Sequence, residues 1–294
     1  MDSYLANYQD QVRRMRASPY LNYPAHVHLE TMAKCNAACV FCPYPTLDRQ
    51  GERMPMELIE KVIDDLTAIP QQLPLQISPF KVNEPFLDVR LFDILKLINE
   101  RLPQATITLT TNASAATEDN VLALADIKNL GYLWISFNDH RPAQYEAAMK
   151  LPYARTIDRL QMIHRLKTEG RLPTRIVLSR VGDGSPADRE FAQWVVTTFP
   201  LFQPSLFPRG AWLGQVEGVP QRAPDVGCVR WFDISITATG VVAHCCMDGR
   251  AEFPIGDVSK QSVLEIYNNP EYRRLREATN SRLEVSPCNG CGFL

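Results

Sequence analysis

Apolar segments of four to six residues alternate along this chain with amphipathic stretches of about ten to seventeen, the rhythm of repeated strand–helix units. The short apolar runs predict strands at 27–32, 75–78, 106–110, 132–137, 175–179 and, with a weaker pattern, 204–207. The amphipathic stretches predict helices at 55–68, 89–101, 117–130, 153–169 and 185–198. Two of these carry start signals: Thr117 with Asp119 and Asn120 close behind, and Ser185 ahead of Pro186 at a first helical position. Consecutive strand–helix units imply an α/β fold on a parallel sheet, either open and doubly wound or curled into a full or partial barrel. Periodicity leaves that choice open. Beyond about residue 208 the rhythm gives way to Gly, Pro and β-type residues, with a hairpin at 230–246 turning near 239–240, one helix at 262–279 and a terminal CNGCGFL. The stretches near residue 170 and at 214–224 read as connections. Three parts are expected: an N-terminal extension over 1–25, an α/β unit over 26–207 and a small α+β module over 208–294.

Composition narrows the function classes. At 294 residues the chain can bury a sizeable core, and 45% hydrophobic with 22% charged residues is ordinary for a globular protein. A net charge of -2 supplies no basic surface for nucleic acid. The N-terminal residues lack the apolar run of a signal peptide, and no stretch approaches the ~20 apolar residues of a membrane span, so a cytoplasmic protein is expected. In a reducing compartment its eight cysteines are poor candidates for disulfides and call for another explanation.

Three of them, Cys35, Cys39 and Cys42, are spaced CxxxCxxC directly after the first predicted strand. A loop of this kind can wrap three thiolates around three corners of an iron–sulfur cubane and leave one iron without a protein ligand. Structural zinc would need a fourth ligand, and His26 and His28 come too early to complete a familiar zinc pattern. With the aromatic Phe41 before the last cysteine, the motif resembles that of the radical S-adenosylmethionine (SAM) enzymes. The resemblance implies a partial (β/α)6 barrel, a site-differentiated [4Fe-4S] cluster whose open iron chelates the SAM amino and carboxylate groups, and a 5′-deoxyadenosyl radical that takes hydrogen from a C–H bond. Carried over position by position, it places Asn83 and Glu84 where a Gly-Gly-Glu-like element holds the SAM ammonium, although the glycines are missing here. It also places Asn112 and Ser136, at the ends of the third and fourth strands, against SAM, with Lys150 or Arg180 as a cation for its carboxylate.

The second group runs Cys228, eleven residues, Gly240, four residues, Cys245, then after 42 residues Cys288-Asn-Gly-Cys291. Four thiols can hold a whole [4Fe-4S] cluster, and equally a zinc ribbon. The spacing resembles the C-terminal halves of SPASM and twitch enzymes, and the end of the chain three residues after Cys291 suits the shorter twitch type with one auxiliary cluster. Cys246 is left over: a thiol hydrogen-atom donor, a buried small hydrophobe, or a ligand in place of Cys245, which the spacing favours. Adjacent residues of a hairpin strand face opposite ways, which would turn Cys246 away from a cluster held by Cys245.

For the reaction, the resemblance implies a small-molecule substrate, with epimerisation of a sugar or aminoglycoside carbon by Cys246 as the first expectation. A twitch dehydrogenase oxidising an alcohol carbon and a SPASM-type peptide maturase are the alternatives, the last disfavoured by the short segment before the first strand. Asp139, Asp233 and Asp248 are candidate partners for an amino sugar. A flavodoxin or ferredoxin-type electron donor is expected, and neither nucleic acid nor membrane.

Overall fold

A computed structural model describes residues 3–217 and 222–293. Six parallel strands follow one another in register: β1 His26–Leu29, β2 Leu75–Ser78, β3 Ala105–Thr111, β4 Leu130–Ser136, β5 Ile176–Gly182 and β6 Phe202–Pro208. The sheet order β6-β5-β4-β3-β2-β1 never brings β6 back to β1. The free edge of β1 is taken instead by β7 Asp233–Ile236, which runs parallel to it and continues antiparallel into β8 Val241–Ala243 and β9 Pro254–Asp257. The sheet therefore curls without closing, as the expected partial barrel does, and it runs unbroken across the expected boundary at 207/208.

The alternation within β1 shows how sequence sets the two faces. Val27 and Leu29 are fully buried towards the helical layer, and His26 and His28 take the opposite face. Outside the sheet lie α2 Met56–Leu66, α3 Leu91–Arg101, α4 Glu118–Ala123, α5 Pro142–Met149, α6 Tyr153–Thr168 and α7 Pro186–Thr198, each placing apolar residues such as Ile59, Ile94 and Leu160 in the common core. Burying one such side chain is worth about 1.5–3 kcal/mol. Before β1, helix α1 Ser3–Arg16 packs on the C-terminal module, where Arg16 donates to the carbonyls of Arg276 (2.6 Å) and Thr279 (2.5 Å).

Three expectations are corrected. The helix at 117–130 is shorter, because a 3-10 turn at Leu124–Asp126 ends it and Leu130 already pairs with Ile107 in β4. The helix at 262–279 is two helices, α8 Val263–Tyr267 and α9 Pro270–Ala278. Pro270 lacks an N–H and disfavours helix at the residue before it, and Asn269 caps the new start by accepting from the Tyr272 N–H at 2.8 Å. Helices α1 and α5 were not anticipated; in α5, buried Tyr145 and Met149 at i and i+4 were the available signal. Within the connection at 214–224, residues 218–221 lie outside the described residues. Among the described residues no helix is long and apolar enough to cross a membrane.

Candidate active site

The loop that leaves β1 carries Cys35, Cys39 and Cys42, and three neighbours hold its backbone in place. Ala38 N–H donates to the Met149 carbonyl (3.3 Å), Val40 N–H to that of Ala148 (3.0 Å), and the Trp212 indole to that of Phe41 (3.0 Å). The unanticipated α5 thus forms one wall of this loop. Burial pushes the Cys35 thiol up to about 12 and Cys42 to about 11, and raises Cys39 further. Three neutral thiols crowded in one low-dielectric loop would ionise on binding a cationic metal group, which makes this a donor set suited to three corners of a cluster.

The three cysteines line a cavity of about 460 Å³ at the C-terminal ends of the strands, together with Phe41, Asn83, Glu84, Asn112 and Ser136. Every predicted SAM contact in that set is therefore gathered around one space. Glu84 is fully buried and caps a short turn: its carboxylate accepts from Thr111 Oγ1 (2.7 Å), Phe86 N (3.1 Å) and Asn112 N (2.7 Å). Burial still pushes its carboxyl up to about 7. Asn83 accepts from Lys81 N at 3.0 Å, but its buried Nδ2 has no partner among the described residues, a donor that a bound ligand would satisfy. The Asn112 amide already bonds Asn36 Oδ1 (2.9 Å) and Ser114 N (2.9 Å), and Ser136 Oγ accepts from Asn138 Nδ2 (2.8 Å).

Lys150 and Arg180 are not among the cavity's lining residues. Lys150 is exposed at the left-handed C-cap of α5 (φ 56°). Arg180 is locked between Asp139 (2.6 Å) and Asp188 (2.8 Å) and also donates to the Asn138 carbonyl (2.7 Å). The three acids considered for an amino sugar are likewise engaged elsewhere. Asp139 pairs with Arg141 and Arg180, Asp233 with Arg230 at 3.1 Å, and Asp248 accepts from Gln215 Nε2, Glu252 N and Phe253 N. Asp233 also lies within 4.8 Å of His26 and His28, whose ring nitrogens complete a buried polar group on the inner face of β1.

Cys228, Cys245, Cys288 and Cys291 line a second, smaller pocket with Arg230, Trp231, His244 and Arg282. Cys245 follows β8, Cys228 precedes the 3-10 turn Val229–Phe232 that leads into β7, and Cys288 opens the turn Cys288–Gly290. His244 Nε2 lies 3.2 Å and Trp231 Nε1 3.4 Å from Cys288 Sγ. Cys246 is not part of this lining. It is half-buried, and its electrostatic neighbours are Arg230, Asp233, Lys81 and Cys228. Both adjacent cysteines sit in the turn after β8, which ends at Ala243, so strand alternation does not set which way each faces.

Two residues that sequence reasoning missed join the pockets. Lys81, buried in the loop after β2, donates to the carbonyls of Asp248 (2.8 Å), Cys245 (3.4 Å) and Cys246 (3.5 Å), and it lines the large cavity. Arg230 lines both cavities. Lys81 stands two residues before Asn83 and Arg230 two after Cys228, and that proximity to motif residues was their only signal.

Comparison with known proteins agrees with this arrangement. A model described as the radical SAM superfamily matches residues 29–183, more than half of the chain, and one described as an iron–sulfur cluster-binding domain, SPASM, matches 228–292. No curated protein matches the sequence at a significant level. Among solved structures, BtrN in complex with AdoMet and 2-DOIA is 16% identical, with a TM-score of 0.61 over 92% of this chain and 93% of that one. Streptococcus suis SuiB bound to precursor peptide SuiA is 13% identical, with a TM-score of 0.69 over 98% and 74%. The enzyme anSMEcpe with bound AdoMet and Cp18Cys peptide is 12% identical, with a TM-score of 0.63 over 91% and 87%. At these identities the likeness is one of fold.

Proposed function

The chain belongs to the radical SAM superfamily, with SAM and [4Fe-4S] clusters as its cofactors, and we propose that it removes a hydrogen atom from a carbon of a small hydroxylated molecule and completes an oxidation of that carbon, one electron passing to the auxiliary cluster and the hydroxyl proton to solvent. One observation carries this reading. A single cavity of about 460 Å³ is bounded by the three thiols and Glu84 and also by Arg230, a residue shared with the four-thiol pocket.

Cys35, Cys39 and Cys42 hold the site-differentiated cluster, and Cys228, Cys245, Cys288 and Cys291 the auxiliary one. Loaded with them and with SAM, the site supplies a 5′-deoxyadenosyl radical and an acceptor for one electron. Glu84 and the free Nδ2 of Asn83 meet the polar end of SAM, Phe41 backs the loop, and Asn112 and Ser136 bound the same space. Among the described lining residues Glu84 is the sole acid, while Lys81 and Arg230 are cations. That balance favours a substrate presenting hydroxyl or anionic oxygens to Arg230; the Lys81 N–H groups already reach the Asp248, Cys245 and Cys246 carbonyls, so Lys81 adds only its charge to the wall, and both cations set any ammonium group of an amino sugar away from them.

Epimerisation is the second reading, favoured by the half-buried Cys246 beside Lys81 and Arg230, both of which line the cavity. One experiment separates the two. The anaerobically reconstituted enzyme is given SAM, a strong reductant or a flavodoxin-type donor, and a panel of sugars, amino sugars and aminoglycosides in D2O. A product two hydrogens lighter, formed equally by Cys246→Ala, supports oxidation. Deuterium on one carbon, lost in Cys246→Ala, supports epimerisation. Turnover confined to peptides would replace both with the maturase reading.

A further inference from the structure

The pocket lined by Cys228, Cys245, Cys288 and Cys291 contains two guanidinium groups and no carboxylate among its described lining residues. Arg282 is 1% exposed, and fixed acceptors anchor it: the Gly227 carbonyl at 3.0 Å, the Tyr8 hydroxyl at 3.3 Å and the Phe293 carbonyl. Its buried Nε has no partner, and neither does the buried Nε of Arg230, whose Nη1 bonds Asp233 at 3.1 Å. Buried arginine Nε atoms without a partner occur at Arg159 and Arg250 too, but Arg230 and Arg282 share one pocket with four cysteines.

Sulfur is the acceptor the pocket offers. One fixed donor already points to it, since the Trp231 indole N–H donates to Cys288 Sγ at 3.4 Å, and His244 Nε2 lies 3.2 Å from the same sulfur and donates in the tautomer protonated there. We infer that Arg230 and Arg282 are positioning residues that raise the reduction potential of the four-cysteine site, making it better suited to take up an electron than to give one. This rests on the proposal that those four cysteines ligate an iron–sulfur cluster.

The physical basis is charge. Four thiolates around iron leave the site net negative, and an added electron makes it more so. Nearby positive groups and N–H···S hydrogen bonds therefore stabilise the reduced form more than the oxidised one. Tyr8 extends the arrangement, because its hydroxyl lies 3.8 Å from Cys228 Sγ and accepts from Arg282 Nη2, so helix α1 takes part in fixing the guanidinium.

The test is a redox titration followed by electron paramagnetic resonance on the full chain in which Cys35, Cys39 and Cys42 are replaced by Ala, so that only the second site titrates. Iron and zinc are counted in every sample. Arg230 is partly exposed, and Arg230→Met should load iron as the parent does. Its midpoint should fall by at least the equivalent of a tenfold shift in the one-electron equilibrium, 59 mV. Arg230→Lys keeps the charge without the Nε donor and should fall by less, and Arg282→Lys should also fall. Should Arg230→Met fail to load, the two lysine variants carry the comparison. Unchanged midpoints in iron-loaded variants overturn the inference while leaving the cluster assignment intact. A parent that holds zinc, or no metal, overturns the assignment and the inference with it.

Discussion

Lys81 Nζ lies 2.8 Å from the backbone carbonyl of Asp248, and this contact ties the barrel to the auxiliary module where the two cavities meet. Lys81 is 3% exposed, burial lowers its pKa, and its ammonium reaches the Cys245 and Cys246 carbonyls as well. The loop after β2 and the turn after β8 are thus fixed to each other by one side chain.

Lys81→Met keeps most of the apolar stem and deletes those bonds. The buried Asp248 carbonyl would lose its charged donor, at a cost of about 1–3 kcal/mol. Urea denaturation should show that loss. Iron analysis should show poorer filling of the four-cysteine site than of the three-cysteine site.

Glu84 predicts a pH dependence with a definite sign. Burial raises its carboxyl from 4.5 to about 7. Its protonated form is favoured by folding, so the contribution is complete below about pH 4.5 and is lost as pH rises through about 7. The ligand-free wild type should therefore lose stability relative to Glu84→Gln between those values, by a total on the order of 3 kcal/mol. On the proposed role of Glu84 as the carboxylate that receives the SAM ammonium, SAM binding should tighten over the same range in wild type, with a flat profile in Glu84→Gln. Calorimetric titrations at several pH values would decide it.

Cys245→Ala and Cys246→Ala should differ in metal content. The first removes a residue of the four-thiol pocket and should lose the iron of one cluster, whereas the second should retain both. Equal losses would mean that Cys246 also ligates. Iron and sulfide counts after anaerobic reconstitution provide the readout.

Gly249 packs against the proline that follows the third cysteine. A Cβ there would come within 2.4 Å of Pro43 Cγ and 3.2 Å of Gln215 Oε1. A proline ring cannot swing aside, so Gly249→Ala should cost about 1–3 kcal/mol through overpacking. It should also displace the Cys42 end of the loop, read as weaker iron incorporation at the three-cysteine site.

Arg180→Met should destabilise the fold without weakening SAM binding. Removing this buried cation takes the ion pair from Asp188 and leaves Asp139 with Arg141 as its arginine partner, a partial loss that should cost about 1–3 kcal/mol. Arg180 does not line the cavity, so SAM affinity measured below the melting transition should match wild type.

The chain's local patterns determined a good deal by themselves. Short apolar runs placed all six parallel strands, because a strand buried in a sheet must fill its faces with apolar side chains whatever packs on it. Cysteine spacing placed both thiol groups, because the ligand geometry of a small metal group acts over a few residues in each loop. Pro270 was equally local, and its helix-breaking effect was readable at 269–270 although the longer apolar pattern masked it.

Tertiary structure alone decided which charged residues are free. Arg180 finds Asp139 across 41 residues and Asp248 finds Gln215 across 33, pairings that no spacing reveals, whereas Asp233 pairs with Arg230 only three residues before it and Asp139 also with the nearby Arg141. Lys81 and Arg230 acquire their importance from contacts separated by more than a hundred residues or from a shared wall between two cavities. The capture of the β1 edge by β7, which leaves the barrel open, is likewise a long-range pairing. Periodicity reports which face of an element is apolar. The identity of the neighbour across that face, and of the ion that neutralises a buried charge, depends on how distant segments pack together.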